Sequence, residues 1–165
     1  MLSMFSRTIL GAAALWAVLA GGLMAAAQSG ELRLPPGDVN WPAAATAGVG
    51  TSGVSAVQTV VVKGDPSGPG LYTLLLRVGP NVTIQAHSHR DDRVASVLSG
   101  TWYFGYGSRF DERALQELPA GSIYTEPPGA NHFAMTKGEG AVIQITGVGP
   151  SGTTYVDPAN DPNRQ

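Results

Sequence analysis

The stretch Val82-Thr83-Ile84-Gln85-Ala86-His87-Ser88-His89 reads as a short strand that ends in two histidines one residue apart. Side chains two residues apart on a strand lie on the same face. His87 and His89 can therefore hold one cation from one side. A third ligand has to come from elsewhere in the chain. The only other histidine is His132, which follows the turn Pro127-Pro128-Gly129-Ala130-Asn131. That turn can deliver it to the same point. Bonds of about 2.0–2.1 Å to an ion such as zinc then require the three rings to converge.

Outward from this stretch the texture stays that of strands and turns. Val57–Lys63 is rich in β-branched residues, the run from Gly64 to Gly70 is made of turn formers, and Leu71–Val78 is apolar. This predicts strand, loop, strand. Val94–Leu98, Thr101–Tyr106, Ser122–Thr125, Phe133–Thr136 and Ala141–Thr146 suit further short strands, with Lys137-Gly138-Glu139-Gly140 as a hairpin connection. One short helix is predicted over Ser108–Leu118, with Ser108 as its cap and Pro119 as its stop. About eight short strands separated by Gly/Pro turns predict a small all-β sandwich or barrel. The 22 glycines and 12 prolines fit that class better than a helix bundle.

With the histidines placed, two stretches resemble the paired motifs of the cupin superfamily. Gly79…His87-Ser88-His89…Arg93…Gly100 is similar to the first, and Gly121…Pro127-Pro128-Gly129…His132…Thr136 to the second. Together they cover residues 79–136. The resemblance implies a double-stranded β-helix, or jelly-roll barrel, with a metal held in its mouth by His87, His89 and His132. Three departures stand out. The spacing from Gly79 to His87 is two residues longer than usual, Thr136 replaces the usual Asn, and Arg93 occupies the position of the usual Glu ligand. Arginine stays protonated and has no lone pair to give a metal.

Three neutral imidazoles leave the charge of the metal uncancelled. The resemblance allows Zn, Mn, Fe or Ni, and the lack of sulfur ligands argues against Cu(I). Two readings of Arg93 stand side by side. Pointing inward, it would bind an anionic ligand in bidentate fashion beside the metal. Pointing outward, it would pair with Asp91 or Asp92 on the rim. Gln85 shares strand parity with His87 and His89 and should face the same cavity. Gln144, Tyr103 and Tyr124 are candidate pocket or acid–base groups, with ordinary barrel packing as the alternative for each. A fourth ligand would have to come from elsewhere, and Glu126 is the most interesting remaining carboxylate near the second motif, although its neighbours Pro127-Pro128 suggest a surface turn instead.

The chain has 165 residues, which suits one domain. Ten basic against twelve acidic residues give a net charge of −2, without the basic excess of a nucleic-acid binder. A 43% hydrophobic content with only 13% charged residues excludes global disorder. The absence of cysteine removes disulfides and thiol chemistry. Residues 1–27 follow the plan of a secretory signal peptide: Arg7, the apolar run Ile9–Leu23, then Ala25-Ala26-Ala27. The expected partition is a signal peptide over 1–27, an extended arm over 28–55, the barrel over 56–157 and a flexible tail over 158–165.

Periplasmic or secreted location follows as an expectation, with no membrane attachment after cleavage. The resemblance implies a small metalloenzyme with dioxygenase, isomerase or lyase chemistry on a small organic acid or carbonyl compound. A non-catalytic binding or sensing module is the alternative. A homodimer is the expected assembly, formed through the Val57–Lys63 edge and the arm.

Overall fold

The computed structural model describes residues 30–44 and 48–164, so the expected signal peptide lies outside the described residues. Among the described residues nine strands run in the order β1 Val57–Lys63, β2 Gly70–Val78, β3 Thr83–His89, β4 Arg93–Tyr106, β5 Gln116–Pro119, β6 Ile123–Glu126, β7 His132–Met135, β8 Ala141–Gly149 and β9 Thr153–Tyr155. All pairings are antiparallel. One face of the barrel is built as β1-β2-β8-β4-β6, the other as β9-β3-β7-β4-β5. Strand β4 belongs to both. Its first half pairs with β6 and β8, its second half with β5 and β7.

What read as two strands on either side of Ser99-Gly100 is thus one bent strand. The bend has two local causes. The register to β8 slips by one residue between Val97 and Ser99. Gly100 then takes φ +70 against the backbone of Gly140 and Ala141, where a Cβ would sit 3.0 Å from Ala141 Cα. Only glycine adopts that conformation at no steric cost.

Alternation along the strands builds the core. On β8, Ala141, Ile143 and Ile145 are buried, while Val142, Gln144 and Thr146 lie on the other face. On β2, Leu74 and Leu76 meet Ile145 and Ile143 across the ladder. Ile143 and Leu74 have no exposed surface. Burying each such side chain contributes roughly 1.5–3 kcal/mol.

Two expectations change. The helix over Ser108–Leu118 reduces to a single 3-10 turn, Glu112–Ala114, and Asp111 rather than Ser108 caps it by accepting from Arg113 N. A short isolated helix is marginal even with Phe110, Ala114 and Leu118 on one face, and Phe110 packs on Phe133 instead. Gln116–Pro119 gains hydrogen bonds by pairing with β4 instead. Lys137–Gly140 is no hairpin, because β7 and β8 do not pair. It carries the chain from one face of the barrel to the other.

The described part of the arm packs rather than trails. Gln58 Nε2 donates to the Pro42 carbonyl, and the Arg77 guanidinium sits 4.1 Å over the Trp41 ring. Further on, Thr51 and Ser52 are buried. The Tyr155 hydroxyl donates to the Ser52 carbonyl at 2.6 Å, and the Thr153 hydroxyl to the Thr51 carbonyl at 2.9 Å. Residues 158–164 begin with a 3-10 turn, Pro158–Asn160, and bring Asn163 against Gly53.

Candidate metal centre

Strand β3 carries the first two imidazoles, and a bulge sets their direction. Ile84 pairs with Ala134, but His87 pairs with His132, so three residues of β3 span what two residues of β7 span. The extra residue reverses the parity. Ile84, His87 and His89 all face the interior, while Gln85 is turned out toward Phe110 and Val156. The expected inward Gln85 is therefore corrected by the bulge. The turn before β7 supplies His132, whose backbone pairs with both His87 and Tyr106.

All three imidazoles are buried, with His87 5%, His89 4% and His132 2% exposed. Each has a ligand nitrogen within 4.8 Å of the others, and the three could hold a metal ion. Each ring is also held from behind by a backbone carbonyl. His87 Nδ1 donates to Gln85 O at 2.7 Å, His89 Nδ1 to Gly152 O at 3.1 Å and His132 Nδ1 to Ala130 O at 3.0 Å. A carbonyl only accepts, so the proton of each neutral ring sits on Nδ1 and the Nε2 lone pair is free. This is the arrangement that orients a metal-binding histidine. His132 Nε2 is buried with no hydrogen-bond partner, an orphan that an ion would satisfy.

Burial keeps the rings neutral. It lowers the His87 pKa to about 4, with the neighbouring His132 adding to the effect. It lowers His132 to about 4 as well. His89 is also pushed down, first by burial and then by the Arg93 charge. No proton competes for the three Nε2 atoms at neutral pH.

Arg93 is 2% exposed and fully engaged. Its Nε donates to Asp91 Oδ2 at 3.2 Å, its Nη1 to Glu126 Oε2 at 3.3 Å and its Nη2 to Ser151 Oγ. Ser151 in turn donates to Asp91 Oδ1 at 2.7 Å, and the Tyr72 hydroxyl to Asp91 Oδ2 at 2.5 Å. Burial alone would raise the Asp91 pKa, but the bonds from Tyr72, Ser151 and Arg93 outweigh it and hold the carboxyl below its usual range. Arg93 thus faces inward yet has two carboxylates as partners. Neither a free anion fork nor a solvated rim pair describes it. Asp92 is exposed, away from this network.

Glu126, expected in a surface turn, is buried instead. It is the last residue of β6, 4% exposed, and pairs directly with Arg93 across the ladder. Burial raises its pKa and the Arg93 charge opposes that rise. Its Oε2 lies 3.6 Å from His89 Nε2 and 4.0 Å from His132 Nε2. The signal for it was the alternation of β6, in which Tyr124 and Glu126 are buried and Ile123 and Thr125 exposed.

The cavity at the centre has a volume of about 30 Å³, room for an ion with one or two waters. Its walls include Leu76, Ile84, Phe104, Tyr124 and Ile145. Phe104 stacks on His132 with ring centroids 5.3 Å apart. The indole Nε1–H of Trp102, also lining the cavity, is buried with no partner. Tyr124 keeps its hydroxyl proton, because burial, reinforced by the Glu126 charge, raises its pKa well above the usual value. Ser52 alone among the lining residues lies outside a strand. Two expected residues are absent from this group. Tyr103 follows the inward Trp102 on β4, so it faces outward under the Lys137 ammonium at 4.2 Å. Gln144 lies between the core residues Ile143 and Ile145, so alternation puts it on the outer face.

No protein-family profile matches the sequence, and no curated protein matches it. Solved structures do. A cupin-superfamily sugar phosphate isomerase from Silicibacter pomeroyi superposes over 75% of this chain and 81% of its own, with 13% identity and a TM-score of 0.55. KdgF from Halomonas sp. superposes over 73% of this chain and 96% of its own, with 14% identity and a TM-score of 0.52. The fold is that of the cupins. Salicylate 1,2-dioxygenase from Pseudaminobacter salicylatoxidans matches over 61% of this chain at 12% identity and a TM-score of 0.51. The chain spans 30% of that dioxygenase and 51% of a DMSP lyase that it also matches.

Within this fold Thr136 has a visible task. Thr136 has no exposed surface. Its hydroxyl accepts from Val82 N at 3.0 Å and donates to Gly79 O at 2.6 Å, which ties down the turn ahead of β3.

Proposed function

We propose that the protein is an exported metal-dependent enzyme acting on a small organic acid or carbonyl compound, with dioxygenase, isomerase or lyase chemistry. One observation carries this reading: three buried imidazoles, each held at Nδ1 by a carbonyl, turn free Nε2 lone pairs into one apolar-walled cavity. His87, His89 and His132 would hold the ion. Zinc, manganese, iron and nickel all suit imidazole nitrogen. A bound ion supplies a Lewis acid that polarises a substrate oxygen or activates water or dioxygen.

The other residues set the surroundings. Leu76, Ile84, Phe104 and Ile145 exclude bulk water, which strengthens every polar contact inside. Trp102 and Tyr124 add an indole N–H and a protonated hydroxyl to the polar groups that line the cavity. Arg93 has its charge taken up by Asp91 and Glu126, so an anionic substrate would have to be held by the ion rather than by the guanidinium. The isomerase and dioxygenase among the structural neighbours belong to the reaction classes proposed.

The cavity of about 30 Å³ favours a second reading, a metal-stabilised binding or sensing module. Elemental analysis of the purified mature protein and of its His87→Ala and His132→Ala variants tests the centre. Stoichiometric metal in the wild type, lost in both variants, is expected; its absence from the wild type would refute both readings. Oxygen uptake and product analysis with a panel of small acids and diketones then separate enzyme from sensor. Export is supported by the Ile9–Leu23 run ahead of Ala25-Ala26-Ala27, and predicts that the exported protein begins at Gln28. Exposed Val61 on the edge strand β1 supports the homodimer, which size-exclusion chromatography with light scattering tests.

A further inference from the structure

We infer that Glu126 is the fourth protein ligand of the metal centre, its carboxylate entering from β6 instead of from the Arg93 position on β4. The inference rests on the metal reading above and adds the residue that completes the site.

The first support is an electrostatic conflict. His89 Nδ1 is committed to Gly152 O, so its Nε2 presents a bare lone pair. Facing it at 3.6 Å is Glu126 Oε2, which also presents lone pairs, and His132 Nε2 faces the same oxygen at 4.0 Å. Three acceptor atoms pointing at one another in a buried site repel. A proton on Glu126 would not settle it, because 3.6 Å exceeds hydrogen-bond reach. A cation between them would, since each lone pair then becomes a bond.

The second support is spacing. With metal–ligand bonds of about 2.0–2.2 Å, two ligands of a tetrahedral ion stand about 3.4 Å apart. Glu126 Oε2 stands about 0.2 Å beyond that from His89 Nε2 and about 0.6 Å beyond it from His132 Nε2, so a shift of well under 1 Å brings it to bonding distance.

The third support is the ladder. Arg93 and Glu126 are directly paired residues of β4 and β6. Arg93 donates to the same Oε2 at 3.3 Å, which leaves that oxygen a second lone pair for an ion and fixes its position. Exchanging charge between two cross-strand neighbours keeps a carboxylate at the centre although the β4 position holds a cation. Asp91 and Ser151 hold the far side of the guanidinium, so Arg93 acts as a positioning residue for Glu126.

The test uses the mature full-length protein with zinc and cobalt(II) as probes. Chelator competition should show zinc bound by the wild type, and bound about 100-fold more weakly by Glu126→Gln and by Glu126→Asp, whose shorter arm withdraws the carboxylate. The visible spectrum of the cobalt(II) form should change in both variants. His132→Ala should lose the metal altogether. Wild-type protein that binds no zinc would sink the metal reading itself. Wild-type zinc affinity and an unchanged cobalt spectrum in Glu126→Gln would overturn the ligand assignment alone. A zinc-loaded wild-type crystal structure decides without any variant: Glu126 Oε2 is expected about 2.0–2.2 Å from the ion, and a separation beyond 3 Å would overturn the assignment.

Discussion

Replacing Arg93 by glutamine is the sharpest perturbation this interior allows. The substitution removes a guanidinium that is 2% exposed and donates to Asp91, Glu126 and Ser151 at once. Two of the three partners are carboxylates buried within the same network. Bonds to charged groups contribute about 1.5–3 kcal/mol each, so losing two sets a floor of about 3 kcal/mol. Deleting one member of a buried ion pair costs about 3–5 kcal/mol, which agrees. For a barrel of this size that corresponds to a fall of roughly 10–15 °C in Tm. Urea unfolding of the metal-free protein at neutral pH is the assay, with the midpoint lowered and the slope unchanged.

The deficit should also shrink in acid. Without Arg93 the pKa of Glu126 in the folded state rises further above its unfolded value. The penalty is therefore full at high pH and relieved as pH falls through that raised pKa. Arg113→Ala, which removes a pair at the exposed Asp111, is the control and should leave the midpoint unmoved. A loss below about 1 kcal/mol for Arg93→Gln, as for a surface pair, would refute the account of a buried charge network.

Three further outcomes follow from the same geometry. The metal-free protein should lose stability as pH falls from about 6.5 to about 4. His87 and His132 have folded pKa values lowered to about 4, so the unfolded chain takes up protons first. The loss is on the order of 3 kcal/mol for each of these two histidines, His89 adds a further loss that continues below about 4, and the whole is read from urea midpoints across that range; a flat profile would contradict the burial argument. Thr136→Val should cost about 1–3 kcal/mol by leaving Val82 N and Gly79 O without their side-chain partner, whereas Thr136→Ser should retain most of the stability. Gly50→Ala should destabilise more than Gly129→Ala in thermal melts. Both have positive φ, but a Cβ on Gly50 would stand 2.7 Å from Arg93 Nη2 and 2.9 Å from Ser151 Cβ, while Gly129 faces open space. Equal losses would show that the contact is without consequence.

The barrel and the three histidines were legible in the sequence because they rest on short-range signals. Runs of β-branched residues between Gly/Pro turns mark strands, and His87-Ser88-His89 places two rings on one face whatever the strand pairs with. What stayed hidden depends on pairing partners. The bulge between Ile84 and His87 appears only once β3 is laid against β7, and it turns Gln85 outward against simple parity. Glu126 was masked by Pro127-Pro128, which end β6 immediately after it rather than before it. Strand β5 was missed because its residues were read as the end of the helix Ser108–Leu118, and β9, at three residues, is too brief to show alternation. Gln144 and Tyr103 illustrate the converse. Their chemistry invited a role, and only the burial of Ile143, Ile145 and Trp102 beside them fixes the face they occupy.

The buried Thr51-Ser52 segment gives the cup a stopper drawn from its own chain, fastened by two hydroxyls of β9, those of Thr153 and Tyr155. Ser52 of this segment is also a wall of the cavity, so any ion held there would have part of the chain ahead of the barrel beside it. Releasing that wall requires breaking two hydrogen bonds, a local opening well short of unfolding the barrel.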